Sequence, residues 1–178
     1  MTLQHQNNKA EGLTILIVDD DKAVLEELQS ILQLQGWNPI TADSVDMALE
    51  VLDWYDNVDV VLTDAHFKEF SGDRSNGFQL ISRASARFSD RAIGFVVMSE
   101  DPFDLKPTLQ TDAADFLPKP INSEDLVDAV RGASKVASRV VNVAPVAENG
   151  EHLLKRVQRI AIEARAANLR VIRCAANK

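Results

Sequence analysis

Several common devices are missing from this sequence. It has a single cysteine, Cys174, so no disulfide can close within the chain. One cysteine and three histidines form no CxxC or HExxH pattern, which argues against a zinc enzyme. Glycine is scarce, and no GxGxxG or P-loop arrangement occurs, which argues against the usual nucleotide cradles. No apolar run approaches the ~20 residues that a membrane-spanning helix needs. Nor does a signal-like leader open the chain, and with the lone cysteine this leads us to expect a reducing, cytoplasmic setting. Without staples or metal clips the fold must rest on a hydrophobic core. A chain of 178 residues that is 46% hydrophobic has enough for one globular domain and an appendage.

Positive charge is also scarce, and it is unevenly placed. The net charge is −8, but residues 151–178 carry seven basic residues against two acidic ones, a local +5. The remainder carries twelve basic and twenty-five acidic residues, −13. An acidic body repels nucleic acid, so nonspecific binding there is not expected.

Apolar patterning alternates between strand and helix. The buried-type runs 13–18, 37–42, 58–63, 92–98 and 114–117 read as strands. Helical spacing links Val24, Leu25, Leu28, Ile31 and Leu32, with Gly36 as the stop. A second helix follows the Ser44 cap and presents Val45, Ala48, Leu49, Leu52 and Tyr55. A third, 77–88, is expected to bury Phe78, Ile81 and Phe88. Between Asp101 and Asp112, Pro102 and Pro107 allow only a short helix, with Pro107 in its first turn. The last helix begins at Asn122 or Ser123 and buries Leu126, Val127, Val130, Ala133 and Ala137. Five such alternations predict an α/β three-layer sandwich around a parallel sheet. Residues 1–12 read as disordered, 13–140 as the folded domain, 141–150 as a linker, and 151–178 as a basic amphipathic helix. In that tail Leu153, Val157, Ile160, Ala164, Ala167, Val171 and Cys174 form a heptad seam. The seam is suited to docking on the acidic body, to capturing a partner, or to a homodimer.

The strand ends carry the chemistry. Ile15 to Val18 runs into Asp19, Asp20 and Asp21. Strand three ends at Asp64, strand four at Ser99, and strand five leads to Lys119. In open parallel sheets, ligands bind beyond the carboxyl ends of the strands. Carboxylates gathered there would repel by roughly 4 kcal/mol per pair at 4 Å, and so ask for a counterion. An all-oxygen set suits Mg²⁺, which takes one or two carboxylates and completes its octahedron with water and phosphate oxygens. Lys119 adds a positive point charge and Ser99 a rotatable hydroxyl. Together these groups fit phosphoryl transfer to a carboxylate. Asp21 is expected only to cap the first helix.

The segments ILIVDDD (15–21), VVLTD (60–64), VMS (97–99) and ADFLPKP (114–120) resemble, in order and spacing, the receiver domain of bacterial two-component response regulators. The resemblance implies a flavodoxin-like sheet of order 2-1-3-4-5. It implies Asp64 as phosphoacceptor and as a metal ligand, and Asp19 and Asp20 as the acidic pair that holds Mg²⁺, with Asp20 favoured over Asp19 as the direct ligand. The His66 backbone carbonyl would be a further metal ligand; the His66 side chain, read from the residues alone, is expected to be a solvent-exposed loop residue in preference to a metal-binding or proton-shuttling one. Ser99 would be the switch hydroxyl, Phe116 the aromatic switch behind it, and Lys119 the phosphate-binding lysine. Function would then be a phosphorylation-dependent signalling switch, not an enzyme with an external substrate but a receiver catalysing its own aspartyl phosphorylation and dephosphorylation. A sensor histidine kinase or histidine phosphotransfer protein would donate the phosphate, and a downstream protein would read the result. The alternatives are a phosphorylation-independent interaction module, or the receiver part of a longer regulator. A phosphatase-like hydrolase ranks last, because Ala65 and His66 supply no second acid after Asp64.

Three features depart from the family pattern. The loop after Asp64 is about five residues long in excess and lacks a proline near Lys68. Glu100 stands where a small residue usually follows the switch hydroxyl. The fourth helical region is short and contains proline.

Overall fold

The computed structural model describes residues 12–67 and 76–140, with side chains as far as residue 135. The N-terminal stretch, the middle of the loop after Asp64, the expected linker and the basic tail lie outside the described residues.

Five strands, β1 (Thr14–Val18), β2 (Asn38–Ala42), β3 (Val60–Asp64), β4 (Gly94–Ser99) and β5 (Ala113–Pro118), form one parallel sheet of order β2-β1-β3-β4-β5. The helices are α1 (Lys22–Leu34), α2 (Val45–Trp54), α3 (Gly77–Arg87), α4 (Leu105–Thr108) and α5 (Ser123–Val140). This is the flavodoxin-like sandwich. Every residue of β1, β3 and β4 is buried, as continuous apolar runs covered on both faces require. On one face Leu25, Leu28 and Leu32 of α1 join Leu126, Ala129, Val130 and Ala133 of α5 over Ile15, Ile17, Leu62 and Met98.

Local chemistry sets the helix ends. The Asp21 side chain accepts from the Ala23 N–H at 2.9 Å, the Ser44 hydroxyl from Met47, and Asn76 from Gln79. Asn122 accepts from the Asp125 N–H at 2.8 Å and so starts α5. At the end of α1, the N–H of Gly36 bonds the Gln33 carbonyl and that of Trp37 the Leu32 carbonyl. This is a Schellman closure, and Gly36 supplies its left-handed backbone at φ 75°. Arg91 closes α2 by donating to the carbonyls of Leu52 at 2.6 Å and Tyr55 at 2.7 Å.

Burial expectations on three helices are corrected. On α3 it is Leu80, Ile81 and Ala84 that are buried, while Phe78 and Phe88 sit half-exposed at the rim. Phe88 lies beneath the guanidinium of Arg91, whose Cζ is 4.9 Å from the ring centroid, so the rim position still gives it a partner. Tyr55 lies past the last turn of α2, where helical spacing no longer fixes direction, and it is 47% exposed. In α5, Val127 is only half-buried and Ala129 takes the interior position.

Candidate functional site

Sheet register brings the strand ends together. Val18 pairs with Thr63, Asp64 with Met98 and Ser99 with Pro118, so β1, β3, β4 and β5 end at one edge. Backbone bonds then continue past the strands. Ala65 N–H donates to the Met98 carbonyl and Lys119 N–H to the Ser99 carbonyl, both at 2.8 Å. These bonds fix the residues that follow each strand before any side chain contributes.

Lys119 is the centre of the arrangement. Its ammonium lies 2.7 Å from Asp19 Oδ2 and 2.8 Å from Asp64 Oδ1, and its side chain is 15% exposed. Asp19 is buried, and its Oδ1 also accepts from the Asp21 N–H at 2.9 Å. Asp64 Oδ2 accepts from the His66 N–H at 3.1 Å. Burial pushes the Asp64 carboxyl above the ordinary aspartate range, against the hydrogen bond and charge of Lys119; the Asp19 charge adds to the rise. Burial alone would lower the Lys119 ammonium. Its bonds to Asp19 and Asp64, with their charges, outweigh that and hold it above the usual lysine value. The pair is therefore asymmetric: attraction prevails at the lysine, burial at the Asp64 carboxylate.

Asp20 is half-buried and opens on the same cavity, of about 350 Å³, which Asp19, Asp64, His66, Ser99 and Lys119 also line. Among the described residues, no group of three acidic, histidine or cysteine side chains is yet gathered as a metal cage. Mg²⁺ does not need one, since it keeps several waters and takes one or two carboxylates. Carboxylates opening on a polar cavity, next to the loop that holds the His66 carbonyl, are a donor set of the right hardness.

The remaining expected residues are placed as follows. Phe116 pairs with Val97 in β5, and its ring is already buried, at 1% exposure. Ser99 lies in the site, but its hydroxyl donates to Asp104 Oδ2 at 2.5 Å and accepts from the Asp101 N–H at 3.0 Å. The His66 side chain is exposed but not idle: its Nε2 is 2.9–3.0 Å from the two carboxylate oxygens of Asp104.

Two residues of the site were missed from the sequence. Asp104 sat in a proline-bearing connection crowded with acids, where nothing distinguished it from a helix cap. Gly77 was read only as a helix start. A Cβ there would meet the Asp64 carbonyl oxygen at 2.0 Å and the Thr63 hydroxyl at 2.9 Å, so only glycine lets α3 begin against the end of β3. The Gly77 N–H also donates to the Ala65 carbonyl at 3.1 Å.

Comparison with known proteins points one way. The family model described as the response regulator receiver domain matches residues 15–131. The transcriptional regulatory protein CpxR of Escherichia coli (strain K12) is 30% identical over 117 residues, 66% of this chain and 47% of that protein. The two-component response regulator ORR27 of Oryza sativa subsp. japonica is 32% identical over 116 residues, 63% of this chain and 17% of that protein. The chain thus spans about half, or less, of the length of these relatives. A signal receiver domain of an HD domain-containing protein from Pseudomonas fluorescens Pf-5 superposes with a TM-score of 0.62 at 22% identity, covering 71% of this chain and 98% of that one. The response regulator protein TrrA from Thermotoga maritima, in complex with Mg²⁺-BeF, gives 0.57 at 21% identity, covering 67% and 96%.

Proposed function

Because this chain belongs to the response regulator receiver family, we propose that it is a phosphorylation-dependent switch in which Asp64 accepts a phosphoryl group from a phosphohistidine. The donor protein is a histidine kinase or a histidine phosphotransfer protein. The observation that carries the proposal is the Lys119 ammonium held between Asp19 and Asp64. Besides neutralising the two acids, this half-buried ammonium opens on a polar cavity where it can meet an arriving phosphoryl anion.

An Asp64 carboxylate oxygen attacks phosphorus in line, forming a P–O bond as the bond to the imidazole nitrogen breaks. Lys119 stays charged and neutralises an equatorial phosphoryl oxygen. The Asp64 oxygen held by the His66 N–H is kept in orientation through the transfer. Asp19, Asp20 and the His66 carbonyl would hold Mg²⁺, which supplies further charge neutralisation when bound. The complex of TrrA with Mg²⁺-BeF supports this use of the fold. Ser99 and Phe116, the latter already buried in β5, carry the phosphorylated state outward to a protein partner.

The test is labelling by acetyl phosphate with Mg²⁺. Wild type is expected to be labelled and Asp64→Asn to be blank. Undiminished labelling of Asp64→Asn overturns the assignment.

A further inference from the structure

Ser99 has one hydroxyl proton, and in this structure that proton is already committed. Its acceptor is Asp104, a 7% exposed carboxylate in the 3₁₀ turn Pro102–Asp104 that leads into α4. Asp104 is tied on every side. Its carboxylate faces His66 Nε2, its N–H donates to the Asp101 carbonyl at 3.1 Å, and its carbonyl accepts from the buried Thr108 hydroxyl at 2.7 Å. One carboxylate therefore joins three places: the switch hydroxyl at the end of β4, the loop that follows the phosphoacceptor, and the turn before α4. Next to it Phe103 is 85% exposed, a large apolar ring on the same turn.

We propose that Asp104 is a positioning residue that latches the resting state by holding the Ser99 hydroxyl. The inference rests on the phosphoacceptor reading of Asp64. A phosphoryl group on Asp64 competes with the Asp104 carboxylate for the single Ser99 proton, because a hydroxyl donates only once. When the phosphoryl oxygens win, Asp104 loses its shortest bond. The turn carrying Phe103 is then held by His66, the Thr108 hydroxyl, the Asp101 side chain that accepts from the Phe103 N–H, and the local backbone. The latch thus sets how much of the phosphorylation energy is spent before the 102–109 segment moves. A charge-assisted O–H···O⁻ bond is about twice as strong as a neutral one, so replacing the carboxylate by a neutral group tilts the competition towards the phosphoryl side.

The test uses the full chain and a beryllofluoride–Mg²⁺ titration followed by amide NMR. Asp104→Asn is expected to tighten beryllofluoride binding about tenfold. Asp104→Ala carries the same expectation, so a folding defect in one variant leaves the other informative. Asp101→Asn, at an exposed acid on the same loop, removes a charge while the asparagine oxygen can still accept from the Phe103 N–H, and so measures the charge effect. In a Ser99→Ala background the gain from Asp104→Asn is expected to fall to the level of Asp101→Asn. In the ligand-free protein, Asp104→Asn is expected to shift the Asp101 amide resonance, since that N–H donates to Ser99 Oγ. An equal gain with and without the Ser99 hydroxyl, or no gain at all, overturns the latch. A wild-type chain that binds no beryllofluoride overturns the Asp64 reading and the latch with it. Wild-type binding without the Ser99-dependent gain overturns the latch alone.

Discussion

Replacing Lys119 with methionine removes the charge while keeping most of the stem, and its cost can be worked from the site. The ammonium makes two contacts, at 2.7 and 2.8 Å, with carboxylates of 2% and 11% side-chain exposure. At an effective dielectric of about 20, each contact is worth about 6 kcal/mol of gross Coulomb energy. Much of that is offset by the burial of all three groups. Removing one partner of a buried pair typically costs about 3–5 kcal/mol, and the low end applies here because Asp64 opens on a cavity that water can enter. A loss of about 3 kcal/mol is therefore expected near neutral pH, measured by urea unfolding in EDTA. The pH dependence has a definite sign. Asp64 already has a folded-state pKa above its unfolded value, and without Lys119 it rises further. A raised carboxyl contributes stability that is present below its unfolded pKa, about 3.9, and is lost as pH rises through the folded value. The deficit of Lys119→Met is therefore smallest in acid and full near neutrality. Adding Asp64→Asn to Lys119→Met is expected to recover part of the loss, as is adding Mg²⁺. A deficit under about 1 kcal/mol, below the cost of any broken buried pair, would refute the reasoning, as would a deficit equal in acid and at neutrality.

Asp20→Ala is expected to weaken Mg²⁺ binding strongly in calorimetry, since it deletes a hard oxygen ligand from a site with few; unchanged affinity would place the metal elsewhere. Gly77→Ala drives a methyl group onto the Asp64 carbonyl, and a destabilisation of about 1–3 kcal/mol is expected, with slower acetyl phosphate labelling. Normal stability and labelling in that variant would show that α3 retreats freely. Glu100 is exposed and lines the site cavity. Glu100→Ala is expected to speed labelling by acetyl phosphate and loss of the label, most at low ionic strength where charges are least screened; equal rates would remove Glu100 from the entry path.

The sheet was legible because its three inner strands are buried on both faces, and such strands leave unbroken apolar runs. The acids and Lys119 were legible for a related reason: each sits where a run stops. Strand limits were less clear. Val58 is buried but precedes β3, because the Asp59 carboxylate takes the Thr14 N–H at 3.0 Å and the ladder begins only at Val60. On α3 the aromatic residues drew the helix face towards Phe78 and Phe88. The space beside the sheet instead admits the smaller Leu80 and Ala84. Asp104 and Gly77 were illegible because their importance comes from contacts no local pattern encodes: the Ser99 hydroxyl and, 38 residues back, the His66 ring for Asp104, and the Asp64 carbonyl for Gly77.

The seam between Gly77 and the end of β3 also bears on how this protein can change. Gly77 rests against the Asp64 carbonyl and bonds Ala65, so the two ends of the intervening excursion are clamped together independently of its content. For a closed excursion, doubling the length costs only about 0.6 kcal/mol of chain entropy. Between His66, which bonds Asp64 and Asp104, and Asn76, which caps α3, residues can thus be added, deleted or exchanged at little cost to the fold, while Asp64 and Lys119 keep their register. The clamp separates a part of the chain that is free to diversify from the part that must not.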